Sequence, residues 1–472
     1  MPCERAGCEY AIQEVSARAE RGQSDAATSE AEPAFSPVCG GASLVMRFRA
    51  IVAALSLSTA IVIAAQNPSP SATSDRVIPR PPAREQRAPE TGSTAPDGYA
   101  PIPQWLGQTR AARVARTEAF TMQTIVSGVG GGFSFHFLPD GRILIGERPG
   151  RMRIAAKDGT LSEPIGGLPE LYASGPQGLF EVLPDRDFAT NRQIYFGFTA
   201  LPTGPRPAVL PRLAGLLMIA RARLSVDDRR LEDVRVLLNA EGINGRMIQA
   251  PDGTLLITSG IPAGVGIDSP DWPQPQQLTS RMGKVLRINT DGSIPANNPF
   301  AGRREALPEI YALGVRDDQG VAIHPQSGKL WTSENGPKGG DEINVIEPGK
   351  NYGFPTISYG HEYSGKPING DRTSEAGLQQ PVYFWNPSIA PSGMTFYTGR
   401  LFPAWQGNLF VAALAGKHVS RLVLDGERVV GEERLLTALD TRMRDVRQGP
   451  DGALYVMTDG PDGRILKLSP QN

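Results

Sequence analysis

From about residue 119 onward, short runs of apolar β-formers alternate with polar turns, and one pairing of the two recurs. A turn containing proline, often with Asp-Gly, leads into an apolar run. The copies are LPDGRILIGE (Leu138 to Glu147), LPDRDFATNRQIYFGF (Leu183 to Phe198), APDGTLLITS (Ala250 to Ser259), HPQSGKLWTSE (His324 to Glu334), FPAWQGNLFVAAL (Phe402 to Leu414) and GPDGALYVMTD (Gly449 to Asp459). Their prolines stand at 139, 184, 251, 325, 403 and 450, at intervals of 45, 67, 74, 78 and 47 residues. Asp-Gly supplies the backbone conformation of a tight turn between strands. The run that follows is apolar enough to pack between neighbouring sheets. A period near 45 residues matches one four-stranded propeller blade, and longer intervals match blades with inserted loops. Sustained helical periodicity is absent. The pattern therefore predicts an all-β fold, a six-bladed β-propeller of four-stranded antiparallel blades over residues 119–472. Ligands of such folds sit over the central channel, so functional side chains are expected in loops contributed by several blades.

The pattern changes before residue 119. MRFRAIVAALSLSTAIVIAAQ starts at Met46 with Arg47 and Arg49, continues as an uncharged, mostly apolar run from Ala50 to Ala65, and ends on small residues. This is the layout of a secretory signal peptide, and the run is shorter than the roughly 20 apolar residues of a membrane span. Residues 46–65 are thus expected to be a signal and the protein to be periplasmic or secreted, with no stable membrane insertion. Residues 1–45 are polar and lie outside that signal, as an N-terminal extension or a stretch ahead of the true start. Residues 66–118 are rich in Pro, Ser, Ala and Arg, carry too few large apolar residues to build a core, and read as a disordered linker.

Composition narrows the function. With 48 basic and 49 acidic residues the chain gives no electrostatic reason to expect a nucleic acid partner. All three cysteines, Cys3, Cys8 and Cys39, precede Met46. A chain cut near Ala65 has no disulfide, no thiolate nucleophile and no Cys-ligated metal.

LPDGRILIGERPGRMRI, DFATNRQIYFGF, MGKVLRINTDGSIPANNPF, PEIYALGVRDDQGVAIHP, GPKGGDEINVIEPGKNYGFP, PSIAPSGM and RMRDVRQGPDGALYVMTD occur in this order between about residues 122 and 470. In this series the chain resembles the soluble sugar dehydrogenases that depend on pyrroloquinoline quinone (PQQ), also called glucose/sorbosone or aldose sugar dehydrogenases. The resemblance implies a PQQ- and Ca²⁺-dependent oxidation of an aldose at C1 to the lactone, with electrons passed to an external acceptor. PQQ carries three carboxylates and calls for basic side chains. Arg442 and Arg444 match the family's Arg-x-Arg pair against the cofactor, and Arg316 matches another cofactor-contacting arginine. Gly336 and Pro337 match the residues whose carbonyls bind the active-site Ca²⁺. Asp341 and Glu342 match an acidic pair, whose glutamate is associated with a second, structural Ca²⁺ in some members.

The chain departs from that pattern at several positions. The family's catalytic histidine falls at Gly242, in AEGINGRMIQAPDG, although Gly245 and Arg246 match. Asp317 stands where the family has Asn after its arginine, and Val315 where it has His before it. Asp317 would repel an anionic cofactor unless it is protonated or binds Ca²⁺. The cofactor lysine falls near Ala415, with Lys417 two residues on. Asp185-Arg186-Asp187-Phe188 replaces His-Pro-Asp-Phe. Glu241 and His361 are the candidates for the missing base, whereas His136, His324 and His418 read as structural. The departures set out a second expectation, a non-catalytic propeller that binds a sugar, PQQ or a surface partner. A lactonase-type hydrolase on the same fold is disfavoured, because no cluster of channel acids and asparagines recurs across the blades.

Overall fold

The computed structural model describes residues 111–201, 215–262 and 265–471, together with a strand at Arg76–Ile78. The extension, the signal and most of the linker lie outside the described residues. Six antiparallel sheets follow one another along the chain, each opening with a strand that lines the central channel. These inner strands are Gly132–Phe137, Leu179–Pro184, Met247–Gln249, Asp318–Ile323, Pro391–Phe396 and Met443–Gln448, in blades 1 to 6. The protein is a six-bladed β-propeller. Blade 1 has three strands, and an isolated bridge from Ala155 to Leu161 extends it. Short pieces of the N-terminal segment lie on two outer edges: Ala112–Arg113 beside blade 5 and Arg76–Ile78 beside blade 6.

The recurring turns form as their residues dictate. In the turns at 140, 252 and 451 the aspartate side chain accepts a hydrogen bond from the backbone N–H two residues on, in Arg142, Thr254 and Ala453. The glycine that follows, at 141, 253 or 452, has φ of 86°, 90° or 79°, a left-handed conformation that few other residues adopt. The second strand of five blades (Ile143–Glu147, Leu255–Ser259, Leu330–Glu334, Leu409–Ala413 and Leu454–Thr458) is buried at all five of its positions. Each is covered by a neighbouring blade on both faces, so its pattern is a continuous apolar run rather than an alternation. Between blades 4 and 5, for example, Trp331, Tyr383 and Trp385 pack with Met394 and Val411.

Blade 6 takes its fourth strand from the start of the domain. Phe120–Val129 pairs antiparallel with Gly463–Pro470, from Phe120 opposite Pro470 to Val129 opposite Gly463. This strand carries no repeat turn, and the sequence pattern does not single it out. Register also defines two rims. The start of each inner strand lies opposite the end of the second, as in Asp318 with Glu334 and Met443 with Thr458. One rim therefore gathers the segments around 148, 178, 242, 260, 316, 335, 390 and 442. The turns that reveal the repeat lie on the other.

Candidate functional site

The rim of strand starts gathers arginines from blades 1, 4 and 6. Arg444 is buried and turns its guanidinium to Asp459, 3.0 Å away, and to the Gln319 side-chain oxygen at 3.1 Å. Half-exposed Arg442 bonds the other Asp459 oxygen at 3.0 Å, and Arg148 lies 3.6 Å from Asp459. Three guanidinium groups thus share one carboxylate, an excess of positive charge at the mouth of the channel. Burial pushes the Arg444 guanidinium down to about 10, and Arg148 and Arg246 add to the effect. Burial opposes ionisation of Asp459, but Arg444, Arg442 and Arg148 outweigh it and hold this carboxyl below its usual range. The Phe133 ring lies below, with Arg444 at 5.5 Å and Arg246 at 4.5 Å from its centroid. Arg316 donates to the Asn335 carbonyl and approaches the hydroxyl of exposed Tyr363 at 3.4 Å. Lys417, in a left-handed conformation, pairs at 2.9 Å with Asp440, two residues before Arg442.

Asp317 stands between blades 3 and 4. One of its oxygens accepts from the Asn244 amide at 2.5 Å and the other from the Gln319 amide at 2.9 Å. Gln319 in turn accepts from Arg444, so one side chain joins Asp317 to the arginine cluster. Burial pushes the Asp317 carboxyl up, against the opposing pull of Arg316, Gln319, Asn244 and Arg444.

Gly336 opens a loop folded tightly on itself. Gly339 and Gly340 have φ of 81° and 68°. Asp341 holds this loop against blade 5, accepting from the Gly336 N–H, the Ser388 hydroxyl and the Ile389 and Ala390 N–H groups. Three of those donors converge on one oxygen and the Gly336 N–H takes the other. Burial nevertheless pushes Asp341 up to about 6. Gly336 and Pro337 are buried, and among the described residues no hydrogen bond reaches either carbonyl. Glu342, the next residue, points to the opposite face of its strand. It joins Glu334 and Asp318 in a row across blade 4, where Asp318 pairs with Glu334 and Glu334 with Glu342. No three or more His, Cys, Asp or Glu side chains among the described residues are arranged as a metal site.

Glu241 and His361 are placed otherwise. Glu241 accepts from the Arg281 N–H at 3.1 Å, and His361 pairs with Asp371 at 3.1 Å in the 347–382 excursion, both side chains exposed. Of the other histidines, His136 lies in the channel, His324 stacks on Trp331, and His418 bonds Ser420 and the Gly416 carbonyl. A Cβ on Gly242 would stand 2.1 Å from the Ser259 hydroxyl and 2.7 Å from the Gly260 carbonyl. Side chains of any size are excluded there unless blade 3 gives way. Gly242→Ala is expected to lower stability by about 1–3 kcal/mol, read from denaturant unfolding. An unchanged midpoint would mean that this strand approach is loose.

Beneath the mouth lies a network that the sequence does not announce. Fully buried Arg246 places one nitrogen 3.2 Å from Glu181 and 3.4 Å from Asp445, and bonds the Gln319 and Phe133 carbonyls. His136 meets Glu181 at 2.9 Å, and Arg447 lies 3.3 Å from Asp445. Inner strands of blades 1, 2 and 6 are thereby tied to the Arg246 segment across the channel. The one signal in the sequence is a lone acid inside an inner-strand run, Glu181 in LFEVLP and Asp445 in MRDVRQ. A separate groove of about 640 Å³ lies on the opposite rim, among Pro251, Tyr311, Gly328 and Pro348, and none of the mouth arginines lines it.

The domain that carries these residues is similar to known proteins. The sequence profile of the Glucose / Sorbosone dehydrogenase family matches residues 131–467. The aldose sugar dehydrogenase of Escherichia coli (strain K12) is 37% identical over 345 residues, covering 71% of this chain and 89% of that protein. The apo crystal structure of the soluble E. coli aldose sugar dehydrogenase superposes with a TM-score of 0.69 at 35% identity, over 75% of this chain and all of that one. The PQQ-bound aldose sugar dehydrogenase of Streptomyces coelicolor superposes with a TM-score of 0.59 at 25% identity, over 74% and 97% of the two chains.

Proposed function

Because the chain belongs to the glucose/sorbosone dehydrogenase family, we propose that it oxidises an aldose at C1 to the lactone with PQQ and Ca²⁺, passing the electrons to an external acceptor. The arginine cluster carries this reading. Arg148, Arg442 and Arg444 meet on the single carboxylate of Asp459, and the charge left over suits a ligand with three carboxylates. Arg316 would add a further contact from blade 4. Phe133, fully buried, backs the Arg444 guanidinium from below. The Gly336 and Pro337 carbonyls, buried and without donors, suit an oxygen-seeking cation. Asp341 would keep them in place rather than bind the ion. When bound, PQQ supplies the quinone that takes a hydride from the sugar. The rest falls to the chain's own groups: holding the cofactor's carboxylates, orienting the sugar and accepting a proton.

The test is to titrate the full chain with PQQ and Ca²⁺ by calorimetry and to follow dye reduction with a panel of aldoses. Binding followed by sugar-dependent reduction supports the proposal. Arg444→Gln should weaken PQQ binding by roughly 10- to 100-fold, since hydrogen bonds to charged groups contribute about 1.5–3 kcal/mol. Binding without turnover would favour the non-catalytic reading, for which the pressed backbone at Gly242 is the supporting observation. Loss of both sinks the cofactor assignment. Export to the periplasm or beyond belongs to the same proposal. It rests on the Ala50–Ala65 run and on the confinement of cysteine to the first 45 residues.

A further inference from the structure

We propose that Asp317 is the proton acceptor of the reaction, in place of the histidine that the family resemblance assigns to Gly242. The inference rests on the dehydrogenase reading and adds to it the identity of the base.

The argument starts from space. Gly242 has none for an added side chain, being pressed against Ser259 and Gly260. The same Gly260 is the contact surface of Asp317: a Cβ on Gly260 would stand 2.5 Å from an Asp317 oxygen. The carboxylate therefore lies against the segment that closes off Gly242. Asn244, two residues after Gly242, donates to it. On its other side Gln319 connects it to Arg444, where the cofactor's carboxylates are expected. A base has to stand beside the cofactor, in a position held from more than one element. Asp317 does so, pinned from blade 3 by Asn244 and from its own strand by Gln319. Glu241 and His361 instead pair with Arg281 and Asp371, outside this set of contacts.

The charged groups around Asp317 are its chain neighbours Arg316 and Asp318 and, from blade 6, Arg444. Burial raises its proton affinity above that of an ordinary carboxylate, and Arg316 and Arg444 oppose the rise, so the group can take up a proton and give it back. In the step itself, the anomeric O–H bond breaks and its proton passes to an Asp317 oxygen. With PQQ in place, the C1–H bond would break with its electron pair leaving as hydride for the cofactor's quinone, and a C=O bond would form at C1. The sugar leaves as the lactone, oxidised by two electrons, and the quinone is reduced by the same two. The proton then leaves Asp317 for solvent.

The test compares the unaltered chain with Asp317→Asn and Asp317→Ala, each loaded with PQQ and Ca²⁺. Asp317→Asn keeps the shape of the side chain and removes the base. It should bind PQQ at least as tightly, because a carboxylate beside an anionic ligand is gone. Its kcat should fall by about 10²- to 10⁴-fold, and the acid limb of the pH–kcat profile should disappear. Asp317→Ala, equally impaired, should regain activity with added formate, whereas a purely structural defect would not. Unfolding midpoints and PQQ affinities check that both variants fold. Near-normal turnover by Asp317→Asn would overturn the assignment and leave the dehydrogenase reading standing. An unaltered chain that binds PQQ and never reduces dye overturns both.

Discussion

Arg246→Met is expected to destabilise the propeller by about 3–5 kcal/mol, the largest loss from any single substitution considered. The arginine is fully buried and stands between Glu181 and Asp445, which are themselves buried. Burial disfavours the charge on Glu181, yet the neighbouring cations, Arg246 foremost, hold its carboxyl far below its ordinary range. Methionine would fill much of the volume and supply neither charge nor donors. Arg447 would remain as one cation for two carboxylates, and the Phe133 and Gln319 carbonyls would each lose a partner. Breaking a buried pair on one side leaves an uncompensated charge, which costs more than the pair contributes. Denaturant unfolding measures the effect. Adding Glu181→Gln to Arg246→Met should recover part of the loss. A single variant within about 1 kcal/mol of the original would show that the channel network is dispensable.

The second large effect has the opposite sign. Asp318, Glu334 and Glu342 lie side by side across three strands of blade 4, buried, and no cationic side chain donates a hydrogen bond to their carboxyls among the described residues. Neither oxygen of Asp318 makes a hydrogen bond there, although the Thr332 hydroxyl lies near. Burial pushes Asp318 and Glu334 well above the usual carboxylate range; Asp317 and Glu342 raise Asp318 further, and Glu342 and Asp318 raise Glu334 against the opposing pull of Arg316. Burial takes Glu342 to about 8. Groups that hold protons more tightly folded than unfolded contribute stability that is complete below their unfolded values. That contribution is lost as the pH rises through the folded ones. The metal-free protein, in chelator, should therefore be most stable below about pH 4 as far as this row is concerned, and should weaken steadily toward pH 8. Asp318→Asn removes one of the three charges. It should raise stability at pH 8 by roughly 1–3 kcal/mol, since a tenfold change in proton affinity corresponds to about 1.4 kcal/mol. Below about pH 4 it should change little. Equal unfolding free energies for the two proteins at pH 8 would show that the row is relieved some other way.

The parts of this molecule that local chemistry dictates could be read from its sequence. Asp-Gly turns at 140, 252 and 451 place their glycines at left-handed φ whatever surrounds them, and the apolar runs beside them mark buried second strands. Phe120–Val129 was not legible as the closing strand. Its partner lies more than three hundred residues away, and nothing in FTMQTIVSGV encodes that distance. The site divides along the same line. Arg316, Arg442 and Arg444 stand out through family resemblance, and the fold brings the last two onto one carboxylate. Asp459, Gln319 and Asn244, which connect them and hold Asp317, are ordinary polar residues until blades 3, 4 and 6 are placed side by side. Glu181 and Asp445 look like isolated acids for the same reason. That Gly242 is hemmed in depends on Ser259 and Gly260, across a strand pair whose spacing no single-residue pattern reports.

The closure of blade 6 makes the covalent order of the blades secondary to their circular order. Thr121 and Ser469, 348 positions apart in the chain, meet across one pair of strands. In an open stack of sheets a break in the backbone would let an end module drift away. Here a single cut in a loop leaves every blade flanked by both its neighbours, so the nicked chain should persist as one noncovalent ring. By the same logic the chain could be joined across blade 6 and reopened between two other blades, a rearrangement that keeps every inter-blade contact. What such a chain would lose is the order in which the ring is assembled.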